Sequence, residues 1–96
     1  MSLTFHEVAR EELEEATEYY EQQRQGLGEE FAQEVENALA RVQRHPHTWT
    51  RLTEDVRRCR LNRFPYGIVY VVRGDDILIV AIMHLRRKPG YWADRL

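Results

Sequence analysis

Cationic and aromatic side chains cluster in AIMHLRRKPGYW, residues 81–92. The stretch begins as an apolar run, and its polar residues follow where that run stops: His84, Arg86, Arg87, Lys88, Tyr91 and Trp92. Imidazole exchanges a proton near neutral pH, cationic groups hold phosphate or carboxylate, and aromatic rings stack on bases. Trp, Tyr and Arg are also common anchors of protein interfaces. These residue types predict a surface for an anionic or a protein partner; the alternative is a Trp92 packed under the helices beside solvated cations.

A second group of cations lies in VRRCRLNRF, residues 56–64. The stretch alternates as a strand does, which places Arg58 and Arg60 on one face about 7 Å apart, with Arg63 nearby. Two guanidiniums at this spacing match neighbouring phosphates or carboxylates, which arginine binds through two parallel hydrogen bonds. A solvated strand face whose charge is offset by acidic helices is an equally good interpretation. Cys59 points the other way and is expected in the core.

No other group of residues forms a familiar catalytic or metal-binding pattern. The four histidines and the single cysteine do not have the spacing of zinc ligands. The chain has no glycine-rich loop of the kind that cradles phosphate. Asp75 and Asp76 fit the chemistry of a turn better than a pair of catalytic carboxylates. We therefore expect neither a metal nor a cofactor.

Length and composition predict one globular domain, residues 1–96, that works in the cytoplasm. The 96 residues are 43% hydrophobic and 31% charged, which is ordinary for a globular protein. No apolar run approaches the roughly 20 residues of a membrane span, and the first residues do not resemble a secretory signal. A single cysteine fits a reducing compartment. The net charge of −2 conceals a division: residues 1–48 carry −7 and residues 49–96 carry +5, which predicts one acidic and one anion-attracting part.

Hydrophobic periodicity predicts two helices after a short strand in residues 2–6. Thr4 and Glu7 have the spacing of a capping box at the start of the first helix. The first helix has an apolar stripe of Ala9, Leu13, Ala16 and Tyr20, and the second has one of Leu27, Phe31, Val35, Ala38, Leu39 and Val42. Glycines at 26 and 28 end the first helix in this interpretation, and His45-Pro46 ends the second.

After Trp49 the period of the pattern changes from about 3.6 residues to 2. Residues 56–64, YGIVYVV and DILIVAIMH read as three strands, with RGDD at residues 73–76 as the turn between the last two. The order is β-α-α-β-β-β. We expect an α+β fold in which an N-terminal helical hairpin packs on one face of a small antiparallel sheet, and the other face of the sheet is open to solvent or to a partner.

Three stretches of the chain are similar to the toxins of the RelE/ParE superfamily, the toxic halves of type II toxin-antitoxin pairs. They are EATEYYEQQRQGLGEEFAQEVENALARVQRHPHTW, RRCRLNRFPYGIVYVV and ILIVAIMHLRRKPGYW. Together they cover nearly the whole chain. The third stretch, with RFPYGIVYVV, most resembles the ParE-like branch that is often labelled plasmid stabilisation protein. The order β-α-α-β-β-β is also the order of that family.

The resemblance implies one of three functions. ParE-like members inhibit DNA gyrase by binding it, and this is the function we expect. RelE-like members cleave messenger RNA on the ribosome; Arg58, Arg60 and Arg87 match basic positions of those ribonucleases, and His84 and Tyr91 would partly replace a catalytic residue that the chain lacks. Those ribonucleases tend to carry an arginine directly after the tyrosine of the third strand, where this chain has Gly67. The third function is that of a non-toxic homologue that only binds its antitoxin.

The resemblance also implies a cognate antitoxin, with which the chain would form a hetero-oligomer. In this family the antitoxin's disordered C-terminal part folds as it wraps the toxin. The first helix and the open sheet face are the expected docking surfaces, and an acidic tail would neutralise the arginines. The expected partner-binding residues are Arg58, Arg60, Arg63, His84, Arg86, Arg87, Lys88, Tyr91 and Trp92.

Overall fold

A computed structural model describes all 96 residues, Met1–Leu96. Its elements are β1 (Ser2–Phe5), α1 (Glu7–Gln23), α2 (Leu27–Arg44), β2 (Thr50–Arg51), β3 (Val56–Arg60), β4 (Tyr66–Arg73), β5 (Asp76–His84) and a short 3₁₀ helix, η1 (Ala93–Arg95). The predicted order is present, with the two-residue strand β2 in addition. No helix is long and apolar enough to cross a membrane.

The first helix begins two residues later than a capping box at Thr4 would require. His6 is the N-cap, and its Nδ1 accepts a hydrogen bond from the Val8 amide at 3.1 Å. Thr4 instead lies within β1, where its backbone is extended and paired. The predicted capping box is therefore wrong, because pairing with β5 holds the chain extended as far as Phe5.

The two helices form the predicted hairpin, and the link between them is built around Gly26. This glycine has a positive φ of 88° and is the N-cap of α2, whereas α1 already ends at Arg24. The carboxylate of Glu21 accepts hydrogen bonds from the amides of Gly26 and Gly28 at 3.0–3.1 Å. An α1 side chain thus satisfies amides that the start of α2 would otherwise leave unpaired.

The sheet has five strands in the order β1-β5-β4-β3-β2 and is mixed rather than purely antiparallel. Strands β2 to β5 form the expected antiparallel meander. Strand β1 lies on the opposite edge and runs parallel to β5, with Ser2 opposite Asp76 and Phe5 opposite Ile79. The α+β class is confirmed. Strand β1 can pair in parallel with β5 because the helical hairpin, which lies between β1 and β2 in sequence, connects the two edges of the sheet.

A bulge interrupts β5 at the point where β1 stops. Val69 pairs with Ala81 and Tyr70 pairs with Ile79, so Val80 is an extra residue in β5. Beyond Phe5, the outer edge of β5 has no strand beside it. The backbone groups on that edge need other partners, since an unpaired sheet edge is open to association.

Two apolar clusters lie on opposite faces of the sheet. The larger one joins the helices to the sheet and includes Phe31, Val35, Ile68 and Tyr70. The smaller one contains no helical residue; it is made of Val56, Val69, Val71, Val80, Ala81, Met83 and Trp92. The face that was expected to be open is therefore partly covered by Trp92, which follows the last strand.

Candidate protein-binding site

Residues 85–96, which we call the C-terminal segment, are held against the sheet by buried contacts. Trp92 is 3% exposed and packs in the smaller apolar cluster, on the face opposite the helices. Trp92 is therefore packed, as the alternative interpretation held, but against the face of the sheet opposite the helices. Because its ring is buried, Trp92 does not offer a face on which a base could stack.

A carboxylate from α1 fastens the C-terminal segment at a second point. Glu12 Oε1 accepts hydrogen bonds from the Ile82 amide at 3.0 Å and from Arg95 Nη1 at 2.9 Å. Its Oε2 accepts from the Tyr91 hydroxyl at 2.8 Å and from Arg95 Nη2 at 3.0 Å. Arg95 also donates to the Val80 carbonyl at 3.1 Å. Glu12 and Arg95 thus satisfy the edge groups of β5 that lie beyond the end of β1.

This network raises the pKa values of Arg95 and Tyr91. Arg95 and Glu12 are 12% and 14% exposed, so their charges are poorly screened by water. The hydrogen bond to Glu12 raises the pKa of Arg95 above its ordinary value. Burial, and then the hydrogen bond to Glu12, raise the pKa of Tyr91. Tyr91 therefore keeps its proton and donates it in a hydrogen bond to Glu12.

The ring of Tyr91 contacts two cations. The guanidinium of Arg87 lies over it at 3.9 Å from the ring centroid, and that of Arg95 lies at 5.1 Å. Such cation–π contacts are worth about 0.5–2 kcal/mol each, depending on exposure. The ring of Tyr91 therefore fixes the positions of the Arg87 and Arg95 guanidinium groups.

His84 lies at the end of β5 beside a row of tyrosines. Its Nδ1 accepts a hydrogen bond from the Arg86 amide at 3.1 Å, and its ring meets Tyr66 edge-to-face at 5.0 Å. A hollow of about 460 Å³ opens here, lined by Tyr19, Tyr20, Pro65, Tyr66, His84 and Arg86. A second hollow of about 280 Å³ shares Tyr19, Tyr66 and His84 with it and extends along α1 to Glu12 and Arg87. We call the two together the helix-side groove.

The helix-side groove exposes aromatic surface. Tyr19 is 57% exposed, the highest exposure among the chain's large apolar side chains. Its ring contacts that of Tyr20 edge-to-face at 5.3 Å between centroids. Burial raises the pKa values of Tyr20 and Tyr66, so both hydroxyls stay protonated. Rigid aromatic rings beside arginines are typical of the residues that dominate protein interfaces.

A separate hollow of about 350 Å³, which we call the sheet-side cleft, lies on the other face of the sheet. Its lining is Leu52, Thr53, Arg58, Met83, Leu85, Arg87, Pro89, Gly90 and Trp92. The Arg58 side chain reaches this cleft by lying across the backbone of Gly67. A Cβ on Gly67 would be 2.8 Å from Arg58 Cγ and 2.9 Å from Cδ, closer than real contacts allow.

The structure divides the nine residues predicted from the sequence. Arg58, Arg87 and Trp92 line the sheet-side cleft, and His84, Arg86 and Arg87 line the helix-side groove. Arg60, Arg63, Lys88 and Tyr91 line neither. The five candidate ribonuclease residues are therefore not gathered around one cavity.

Arg60 and Arg63 lie apart from both hollows. The register of β3 against β4 keeps Arg58 and Arg60 on one face, as expected, but Arg60 is exposed while Arg58 is half-buried. Arg63 donates to Glu30 of α2 at 2.9 Å. The acidic helices thus offset part of the basic half, which was the alternative interpretation of its charge.

Several residues of this surface were not singled out from the sequence. Glu12, Arg95 and Tyr19 belong to no recognisable motif, although two adjacent tyrosines, Tyr19 and Tyr20, are a usable signal. One of two adjacent tyrosines on a helix must leave the buried stripe when the other enters it. No group of His, Cys, Asp or Glu side chains is arranged to hold a metal ion.

A helical hairpin packs on one face of a small sheet, and basic and aromatic residues follow its last strand. The chain belongs to the ParE family: the family described as "ParE toxin of type II toxin-antitoxin system, parDE" matches residues 3–89. The resemblance predicted from the sequence is confirmed. Family membership makes the chain a ParE toxin and implies an antitoxin partner.

A solved structure shares the fold. A chain described as "Chromosomal ParDE TA system from P. aeruginosa" superposes with a TM-score of 0.64 and 23% identity. The match covers 88% of this chain and 95% of that one. A search of curated proteins finds no match.

Proposed function

We propose that this toxin acts in the cytoplasm by binding DNA gyrase, and that a cognate antitoxin neutralises it. Gyrase is the target understood for ParE-like toxins, and family membership supports it here. The toxin has no chemistry of its own in this proposal. It inhibits by occupying a surface of its target, so its effect depends on contact area and anchor residues rather than on reacting groups.

The observation that carries the proposal is the state of Tyr91. A ribonuclease needs a group that gives or takes a proton at the scissile phosphate. The Tyr91 hydroxyl donates to Glu12 at 2.8 Å, and its pKa is raised by burial and by that bond. His84 keeps one nitrogen engaged with the Arg86 amide and faces the helix-side groove, whereas Arg58 lines the sheet-side cleft. Binding without catalysis fits these positions.

The helix-side groove is the surface that we assign to gyrase. It combines exposed Tyr19 with Tyr66, His84 and Arg86 around one open hollow. The groove lies between α1 and the end of β5, both of which are fixed by the Glu12 network. A rigid surface loses little conformational entropy when it docks, which favours affinity.

A supercoiling assay tests the proposal. Purified protein is incubated with gyrase, ATP and relaxed plasmid, and the products are scored for lost supercoiling and for trapped cleaved DNA. We expect inhibition that is reversed by adding the cognate antitoxin. In parallel, ribosomes programmed with a messenger are scored for cleavage.

Each outcome decides between the three functions implied by the family. Inhibited gyrase with intact messenger supports the proposal. Messenger cleavage with unaffected gyrase replaces it with the ribonuclease function. Antitoxin binding with neither effect, at high molar excess of the toxin, identifies a non-toxic homologue.

A further inference from the structure

Strand β1 forms one edge of the sheet, and no part of the chain pairs with its outer side. In the sheet order β1-β5-β4-β3-β2 it has only β5 beside it. The amides of Ser2 and His6 donate toward β5, at 3.2 and 2.9 Å from their acceptors. Backbone groups of successive strand residues point to opposite sides, so those of Leu3 and Phe5 point away from β5. Neither residue takes part in a backbone hydrogen bond with any other segment.

The residues of β1 do not protect this edge. Edge strands are commonly shielded by charged side chains, proline or a bulge, and Ser2–Phe5 has none of these. The opposite edge of the sheet is only the two-residue strand β2, which carries Arg51. Two of the four large apolar side chains that the chain exposes, Met1 and Val8, lie just before and just after β1 in sequence. The β1 edge therefore combines free backbone groups with uncovered apolar surface.

The free groups of β1 are complementary to those of a second β1. When two such strands run antiparallel with Thr4 opposite Thr4 of the other copy, Leu3 of each copy lies opposite Phe5 of the other. Each of these two pairs exchanges both of its N–H···O=C bonds, so about four bonds form. Moving the symmetry axis to Leu3 or to Phe5 leaves the other of these residues opposite Met1 or Glu7, which lie outside the strand. One register therefore satisfies all the free groups.

The side chains of β1 fit the same register. Leu3 and Phe5 are half-buried against the larger apolar cluster, and pairing places each of them beside the other's counterpart. Thr4 is exposed and points to the opposite face of the strand. Threonine directly opposite threonine is a favourable cross-strand pair. Because β1 carries no charge by which to select an acidic or a basic partner, a second β1 is the occupant that matches its backbone and its side chains.

We propose that β1 is the docking site for a second copy of this chain, and that the two β1 strands pair antiparallel about a twofold axis at Thr4. The two five-stranded sheets then become one continuous sheet. No residue of β1 lines the helix-side groove or the sheet-side cleft, so a dimer presents two copies of each. The inference does not depend on the target of the toxin, and a negative supercoiling assay leaves it unchanged.

The first test places charges on the proposed axis. Sedimentation of the purified wild-type chain should show a reversible dimer with a Kd of roughly 1–100 μM, because a four-residue strand makes a small interface. Thr4→Lys and Thr4→Glu each put two like charges opposite one another, and each should weaken the dimer about tenfold or more. An equimolar mixture of the two variants should dimerise again. The control Thr48→Lys, an exposed change in the loop after α2, should dimerise as the wild type does.

The second test fixes the register. Residues opposite one another in a non-hydrogen-bonded antiparallel pair have Cα atoms about 4.5 Å apart, which a disulfide can span. Thr4→Cys should therefore form a disulfide-linked dimer under mild oxidation, and the native Cys59 is buried and should not compete. The control Thr48→Cys should stay unlinked. Thr4 is exposed, so neither test depends on the fold tolerating a core substitution.

Three outcomes would overturn the inference. The first is a wild-type chain that stays monomeric well above the expected range of Kd. The second is a dimer that Thr4→Lys does not weaken, which would place the interface on another surface. The third is seen by hydrogen exchange: if the amides of Leu3 and Phe5 become protected only when the antitoxin is added, the edge belongs to the antitoxin. A wild-type dimer that is weakened in both charged variants and restored in their mixture supports the inference.

Discussion

Glu12 and Arg95 form a two-point ion pair that closes the unpaired edge of β5. The Glu12 carboxylate accepts four hydrogen bonds of 2.8–3.0 Å: one from the Ile82 amide, two from the Arg95 guanidinium and one from the Tyr91 hydroxyl. The pair joins α1, β5 and the C-terminal segment at one point. Its position beside the β5 bulge explains why a charged pair is found in a nearly buried place.

Removing the Glu12 carboxylate should destabilise the fold strongly. In Glu12→Ala the Arg95 charge and the Ile82 amide lose their acceptor, and breaking such a pair typically costs about 3–5 kcal/mol. That is a large part of the roughly 5–15 kcal/mol that holds a domain of this size together. Urea unfolding measures the loss. The neighbouring exposed Glu11, changed to Ala, should alter stability by less than about 0.5 kcal/mol; equal effects of the two would contradict the role of the network.

Adding a methyl group to Gly67 should also destabilise the fold, and the reason can be isolated. In Gly67→Ala the new Cβ meets the Arg58 stem at 2.8 Å, and overpacking of this kind costs about 1–3 kcal/mol. In an Arg58→Ala background the next atom is the Cys59 carbonyl oxygen at 3.6 Å, an ordinary contact. There Gly67→Ala should be neutral or stabilise by up to about 1 kcal/mol. A double-mutant cycle measures the coupling, and purely additive effects would show that Arg58 does not lie across Gly67.

Stability should fall in alkaline solution because of a buried tyrosine. Tyr70 donates its hydroxyl to the Pro46 carbonyl at 2.7 Å, and burial raises its pKa from 10.0 to about 12; the nearby Arg57 opposes this. The unfolded chain loses the tyrosine proton at a lower pH than the folded chain does. The contribution of Tyr70 to the free energy of unfolding is therefore complete below pH 10 and is lost as the pH rises toward about 12, at about 1 kcal/mol per pH unit. The raised pKa values of Tyr20, Tyr66 and Tyr91 act in the same direction.

The contribution of Tyr70 is measured by comparison with Tyr70→Phe. Urea unfolding of both proteins from about pH 9 to about pH 12 should give a shallower decline for the variant. The variant will be less stable at neutral pH, because it leaves the Pro46 carbonyl without its donor. Identical slopes for the two proteins would assign the alkaline loss to other groups.

Truncating Tyr19 should impair gyrase inhibition without unfolding the toxin. Its side chain is 57% exposed at the helix-side groove, so Tyr19→Ala should change stability by less than about 1 kcal/mol. Loss of an aromatic anchor typically weakens an interface by about tenfold or more. The supercoiling assay gives the concentration for half inhibition. Tyr19→Phe, which keeps the ring, should inhibit nearly as well, and so should Gln22→Ala, an exposed change elsewhere on α1.

Replacing His84 with Asn should weaken gyrase inhibition by less than about tenfold, because it alters one residue of the helix-side groove but keeps the hydrogen-bond acceptor. The Asn Oδ1 can accept a hydrogen bond from the Arg86 amide, as the imidazole Nδ1 does now at 3.1 Å, but Asn cannot act as a general acid or base. A toxin that only binds has no use for acid–base chemistry at this position. Loss of activity by two orders of magnitude in His84→Asn, with normal folding, would show that proton transfer matters.

The sequence predicted the helices and the central strands because each has a clear period. The stripe from Phe31 to Val42 and the apolar strands β4 and β5 required only local patterns. The position of β1 in the sheet could not be predicted from the sequence, because Ser2 pairs with a residue 74 positions away. Nothing in SLTF distinguishes an edge strand beside β5 from one beside β3.

The candidate site was predicted in composition but not in arrangement. The stretch from His84 to Trp92 was found because cations and aromatics are concentrated there. Which cation is neutralised depends on what lies opposite it in the fold: Arg63 meets Glu30 and Arg95 meets Glu12, whereas Arg58 meets no acid. Such pairings join residues from distant parts of the chain, so the hydrophobic periodicity of the sequence does not predict them.

The parallel pairing of β1 with β5 has a consequence for synthesis. A ribosome adds about 5–20 residues per second, so Ser2 waits roughly 4–15 seconds before Asp76 is made, and longer before it leaves the exit tunnel. During that interval α1 and α2 can form, but the sheet edge and the Glu12 network cannot. The nascent chain therefore lacks a complete sheet and the Glu12 network until late in its own translation.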